Sequence, residues 1–171
     1  MKRLLKLWLM VFLLTSVVYS SVSAQVLFLF KNPIIGKKAP DFVLTSLKGD
    51  LVDLEKIRKG KNVILFFWTT WCPHCREAIG EVKARKKEFE HNGVYMILID
   101  GGESMRAVKA YAERRGLDFD ILLDHNNFVS DKYNILGIPT FVFIDKEGIV
   151  KAVENDIPKD YMTYFKENTK Q

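Results

Sequence analysis

Two stretches of this chain are apolar without alternation. Asn62 to Trp68 carries Val63-Ile64-Leu65-Phe66-Phe67-Trp68, and Val94 to Asp100 is the second. Runs of that length suit strands buried on both faces. Between them, Ala78, Ile79, Val82 and Phe89 share one stripe, which predicts a helix from Pro73 to about Glu90, closed by His91-Asn92-Gly93. After the second strand, Gly101-Gly102 turns the chain into a helix over Glu103 to Arg115 that ends at Gly116. Phe119 to Leu123 predicts a short strand and Phe128 to Tyr133 a short helix. Thr140 to Ile144 and Ile149 to Val153 read as a hairpin joined by Asp145-Lys146-Glu147-Gly148, and Tyr161, Met162 and Phe165 sit at helical spacing in a C-terminal helix. Ahead of all these, Phe42-Val43-Leu44 and Leu51-Val52-Asp53-Leu54 flank Lys48-Gly49-Asp50, an N-terminal hairpin. The order is a β-hairpin, then β-α-β-α, then β-β-α. Strands that alternate with helices argue for an α/β core with parallel strands, to which the hairpins add antiparallel members.

Composition changes this picture at one end only. The 171 residues are 48% hydrophobic and 27% charged, as in an ordinary globular protein, with no internal repeat. The formal net charge is +5, but Lys2, Arg3 and Lys6 precede every acid in the chain, the first of which is Asp41. Without those three, 23 basic residues face 21 acidic ones, a net of +2. The basic balance is a targeting signal, and Arg85-Lys86-Lys87, followed by Glu88 and Glu90, reads as a solvated helix face and not a nucleic-acid patch. The three basic residues lead into the apolar stretch Leu7 to Leu14, and Val22-Ser23-Ala24 fits a small-residue cleavage site. Residues 1–24 are therefore expected to be a secretory signal peptide. A retained membrane anchor is the competing reading, because the 24 residues from Leu7 through Phe30 carry no charge and would extend about 36 Å as a helix. Both readings place the domain outside the cytoplasm. Residues 25–35 are expected to be a linker and 36–171 the folded domain.

The candidate chemistry is a pair of cysteines, Cys72 and Cys75, inside Trp71-Cys72-Pro73-His74-Cys75. They are the chain's only cysteines, so no structural disulfide accompanies them. Such a pair can be half of a zinc site, a haem attachment site or a redox couple. Zinc needs two further ligands from His74, His91 and His125, of which the last two have no ligand spacing. Haem attachment needs His directly after the second Cys, where this chain has Arg76. A redox couple needs only what is present. With Cys72 at a helix N-cap, Pro73 falls at the first helical position, where its missing N–H costs nothing. The Cys72 sulfur then faces free backbone N–H groups and the positive end of the helix dipole, which favour the reactive thiolate. Cys75, one turn further in, is expected to be more buried. Cys72 is then the attacking thiol and Cys75 the resolving one, with His74 adding charge or a hydrogen bond beside Cys72.

Trp71-Cys72-Pro73-His74-Cys75 after an apolar strand, with Gly137-Ile138-Pro139-Thr140 downstream, resembles the thioredoxin superfamily. Ala39-Pro40-Asp41-Phe42 and Gly101-Gly102-Glu103-Ser104 resemble its TlpA/ResA branch of extracytoplasmic thiol–disulfide oxidoreductases. The resemblance spans residues 36 to about 165. It implies a thioredoxin-like fold with a central mixed sheet flanked by helices. It also implies a cis Pro139 against the cysteine pair, backbone hydrogen bonds offered to a substrate by Ile138, and Trp71 beside Cys72. No cofactor or metal is implied beyond the Cys72–Cys75 disulfide. The implied partners are protein thiols and disulfides, apocytochrome c among them, and a membrane electron donor of the CcdA/DsbD type.

This chain departs from that pattern in three places. The buried acid that thioredoxin carries six positions before the first Cys is Phe66 here. The glutamate that the branch commonly carries three positions after the second Cys is Ala78, and Gly80 replaces a proline that often follows, which leaves Glu77 as a weak candidate proton acceptor for Cys75. The Pro73-His74 pair resembles that of the oxidant DsbA. Two function classes besides the reductant are therefore carried: a DsbA-like thiol oxidase, and a thiol peroxidase or metal binder. The peroxidase reading has Thr69 three residues before Cys72 but Leu65 where the expected proline would stand.

Overall fold

The computed structural model describes residues 32–166. The signal or anchor segment, 1–24, lies outside them, and the linker, 25–35, lies mostly outside. The compact unit begins at Ile34. Among the described residues no helix is long and apolar enough to cross a membrane.

The first strands, β1 (Val43–Ser46) and β2 (Leu51–Asp53), pair antiparallel as the expected hairpin. A short helix not expected from the sequence follows, α1 (Leu54–Arg58). Its five residues are too few for hydrophobic periodicity to register. Its signal was Asp53, which caps it by accepting a hydrogen bond from the Glu55 N–H at 3.0 Å. Leu54, read as the end of the strand, is instead the first helical residue and is fully buried. Asp53→Ala is expected to lower stability by about 1 kcal/mol, measured by urea unfolding.

The long apolar runs form β3 (Asn62–Trp68) and β4 (Val94–Gly101), and they pair in parallel with Trp68 opposite Asp100. Every residue of β3 is buried because successive side chains enter different cores. Ile64, Phe66 and Trp68 face one cluster, whereas Val63, Leu65 and Phe67 face the other. The remaining strands are β5 (Asp120–Asp124), β6 (Thr140–Ile144) and β7 (Val150–Glu154). The sheet order is β2-β1-β5-β4-β3-β6-β7, with the two hairpins outermost and antiparallel to the parallel centre. The fold is thioredoxin-like, and β3 occupies the interior of the sheet with its C-terminal end feeding the cysteine motif.

The helix expected over Pro73 to Glu90 is two helices, α2 (Pro73–Ala84) and α3 (Lys86–His91), separated at Arg85 (φ −93°, ψ 6°). No proline or glycine stands at the break. Tertiary bonds accompany it: the Arg85 guanidinium donates to the carbonyls of Ile157 (2.9 Å) and Pro158 (3.3 Å), pairs with Glu81 and Glu88, and lies over the Tyr161 ring. Then come α4 (Met105–Arg115), capped by Ser104 and ended by Gly116 at φ 58°, and α5 (Phe128–Lys132). The expected C-terminal helix is a single 3₁₀ segment, Tyr161–Phe165, whose Tyr161 packs on Phe89. Short connecting pieces of this length commonly take the 3₁₀ form.

Candidate active site

The motif sits where β3 ends and α2 begins. Cys72 is the N-cap of α2 (φ −75°, ψ 116°) and Pro73 is its first helical residue. The Cys72 sulfur accepts the Cys75 N–H at 3.2 Å, one of the donors that a helix start leaves unpaired. On its other side the same sulfur lies 3.9 Å from the Ile138 carbonyl oxygen. The Ile138–Pro139 bond is cis, the isomer that the resemblance implies. The loop that carries it is tied at both ends, by Thr140 Oγ1 donating to the Gly137 carbonyl (2.7 Å) and Asn155 Nδ2 to the Pro139 carbonyl (2.9 Å). Both cysteines are free thiols, and neither is widely open: Cys72 is 5% exposed and Cys75 0%. Burial above all, then the hydrogen bond with Cys72, pushes the Cys75 thiol up to about 12, against the opposing pull of the Thr69 amide. Cys75 is therefore a thiol, not a thiolate, at neutral pH.

The residues around the pair divide into two sets. Trp71 is 66% exposed, and with Trp68, Thr69, Leu136 and Ile138 it lines a groove of about 370 Å³. A larger cavity of about 560 Å³ lies at the far end of the sheet, around the first residues of β4 and β5, and holds none of this chemistry. His74 does not turn toward Cys72. It is 81% exposed and its Nδ1 lies 3.6 Å from Glu77 Oε2, on a carboxylate equally open to solvent. The expectation that Glu77 serves Cys75 fails for the same reason. Position 77 is two residues beyond Cys75, about 200° around a helix of 3.6 residues per turn, so it emerges on the solvent face.

The sequence reading gave no role to the acids that do lie close by. Glu103 accepts two hydrogen bonds from Thr70, from its N–H and from its hydroxyl, the latter at 2.7 Å. Asp100, fully buried at the end of β4, accepts the Glu103 N–H at 3.2 Å. Burial first, then the adjacent Glu103 carboxyl, raises Asp100 to about 8. The available signal was a carboxylate closing an otherwise apolar strand. Among the described residues no group of three or more His, Cys, Asp or Glu side chains is gathered to hold a metal ion.

A thioredoxin-like sheet with two reduced thiols at a helix start, one reachable and one sealed, defines a thiol–disulfide oxidoreductase of the thioredoxin superfamily. The chain belongs to the AhpC/TSA family, whose sequence pattern matches residues 35–153. It is 40% identical over 119 residues to the thiol-disulfide oxidoreductase ResA of Geobacillus kaustophilus, covering 70% of this chain and 68% of that one. It is 35% identical over 136 residues to ResA of Bacillus subtilis, covering 77% and 75%. Among solved structures it resembles the thioredoxin domain of a thiol-disulfide oxidoreductase from Bacteroides vulgatus (TM-score 0.66, 25% identity, 75% of this chain and 93% of that one). It also resembles a secreted disulfide oxidoreductase of Mycobacterium tuberculosis homologous to DsbE (TM-score 0.58, 28% identity, 69% and 84%).

Proposed function

We propose that the protein works outside the cytoplasm as a reductant of protein disulfides, with Cys72 as the attacking thiol and Cys75 as the resolving one. The observation that carries the assignment is the asymmetry of the pair. The Cys72 sulfur stands at the helix start against the Cys75 N–H and the carbonyl of Ile138, a residue that lines the groove, while Cys75 is sealed. In the first step the Cys72 thiolate bonds one sulfur of a substrate disulfide, whose other sulfur leaves as a thiolate. In the second, Cys75 loses its proton and bonds the Cys72 sulfur. The Cys72–substrate bond breaks, its electron pair leaves on the substrate sulfur, and protonation of this thiolate and of the one released in the first step restores both thiols. The substrate has gained two electrons and two protons, and Cys72–Cys75 is a disulfide. Trp71 and Ile138 line the groove along which the substrate chain lies, Pro73 starts the helix behind Cys72, and Pro139 follows Ile138 through the cis bond.

The placement of His74 bears on the direction of electron flow. An oxidant of this fold needs an unusually stabilised thiolate, which makes its reduced form favourable. The Pro-His sequence suggests such an effect, yet the imidazole faces Glu77 in solvent and lends no hydrogen bond to Cys72. The ResA relatives support the same direction through the resemblance. The charged and apolar N-terminal segment, and the description of the Mycobacterium relative as secreted, support export. Disulfides of exported proteins, such as one between the thiols of apocytochrome c, are the proposed substrates, and a CcdA/DsbD-type membrane protein is the proposed electron source. Equilibration of the couple with glutathione tests the direction. A potential near about −270 mV is expected, and one near about −120 mV would establish the oxidase reading instead.

A further inference from the structure

The second step requires a sealed thiol to lose its proton, and the positions where an acid was sought hold Phe66, Ala78 and a solvent-facing Glu77. Asp100 brings a carboxyl to the Cys75 face of the sheet beside the end of β3. Asp100 stands opposite Trp68 in the β3–β4 ladder, and Trp68 packs in the same cluster as Cys75. Its Oδ1 takes the Glu103 N–H, but its Oδ2 is buried without any donor. The Glu103 carboxyl grips Thr70 through both oxygens, and the neighbouring Thr69 backbone is among the groups that act on the Cys75 thiol. A contiguous set of contacts therefore runs from Asp100 through Glu103 and the Thr69–Thr70 backbone to the cysteine pair.

The Glu103 carboxyl acts on Asp100 through a side-chain hydrogen bond as well as by its charge, while the Glu103 N–H is held on Asp100 Oδ1; two carboxyls so placed do not both ionise at ordinary cost. A proton held between them supplies the donor that Asp100 Oδ2 lacks. The other titratable groups around Asp100 reinforce this. Asp124 from β5 adds negative charge, and Tyr111 of α4, whose ring packs on Trp68, keeps a buried hydroxyl with no partner. The His125 Nδ1 contacts the Glu103 backbone carbonyl at 2.8 Å and not its carboxylate.

We propose that Asp100 and Glu103 are a positioning acid pair that shares one proton, and that this proton keeps Glu103 on Thr70 and so holds the cysteine loop in register for resolution by Cys75. The inference rests on the proposed reading of Cys75 as the resolving thiol. With the proton present, Glu103 keeps both bonds to Thr70. With it gone, two adjacent negative charges repel, Glu103 withdraws, and the Thr69–Thr70 backbone loses its anchor beside Cys75. Asp100→Asn replaces the shared proton with a permanent donor and removes the titration.

Two measurements test the pair. Carbon-detected NMR of the reduced wild-type protein follows the Asp100 and Glu103 carboxyl carbons against pH. Asp100 is expected to titrate near about 8, well above the ordinary carboxylate range, and titration in that ordinary range overturns the proposal. Stopped-flow kinetics then follow resolution of a Cys72 mixed disulfide in wild type and Asp100→Asn. The ratio of the variant rate to the wild-type rate is expected to rise several-fold as pH passes the Asp100 midpoint, a comparison in which the common thiol ionisation cancels. A ratio independent of pH overturns the proposal. Should the variant not fold, the wild-type titration decides by itself. That titration involves no exchange chemistry, so its failure is separate from failure of the Cys75 assignment, which a Cys75→Ser protein that traps no mixed disulfide would reveal.

Discussion

Cys75→Ser is expected to stall the protein after a single attack, leaving it joined to its substrate through Cys72, with turnover falling to the uncatalysed level. The geometry gives the reason. Cys72 is the more exposed of the two cysteines, and the 3.2 Å contact of its sulfur is with the backbone N–H of residue 75, which a serine retains. The first step is preserved and the second loses its nucleophile. Cys72→Ser is expected to abolish both steps and trap nothing. Non-reducing electrophoresis with mass spectrometry of the adduct separates the two variants. A trapped adduct on Cys75 in the Cys72→Ser protein would reverse the assignment, though full burial of Cys75 stands against it.

Phe66→Ala is expected to cost about 3–5 kcal/mol, a large part of the about 5–15 kcal/mol that holds a typical domain together. Phe66 is fully buried in β3, stacked on Phe141 of β6 with ring centroids 4.3 Å apart and planes 14° from parallel. Trp68 lies at 6.5 Å on the same face. Removing the ring leaves a void under the cysteine motif that a strand paired on both sides cannot close by moving. Urea denaturation should show a lower midpoint with little change in slope. The same packing explains why this position carries no acid. A carboxyl there would stand among aromatic rings, and the acids near the site are instead at the C-terminal end of the next strand.

The fold could be read in the sequence where a local pattern dictated it. Val63 to Trp68 has no polar alternation because both faces of β3 are covered, and that fact survives translation into one dimension. Lys48-Gly49-Asp50 and Asp145 to Gly148 announce their turns by composition. What escaped depended on residues far apart in the chain. The break at Arg85 is made with carbonyls more than 70 positions away, and the five-residue α1 is set by one cap. The cysteine pair was legible because its chemistry is local. The acid pair was not, because Glu103 meets Thr70 across 33 positions. His74 and Glu77 misled for the opposite reason. They lie close to the cysteines in sequence, and the rotation of the helix carries them away from the thiols.

The fastening of Arg85 also settles where the folded unit ends. The seven strands are complete at Glu154, so a chain trimmed there would keep the whole sheet and both cysteines. It would nevertheless strip a guanidinium, its side chain only 14% exposed, of the Ile157 and Pro158 carbonyls, and take away the Tyr161 ring that packs against it and Phe89. The joint between α2 and α3 would lose its latch, and α2 is the helix whose first residues carry the thiols. The minimal catalytic fragment of this protein thus extends past its last strand to about Phe165, through a segment that contains no catalytic residue.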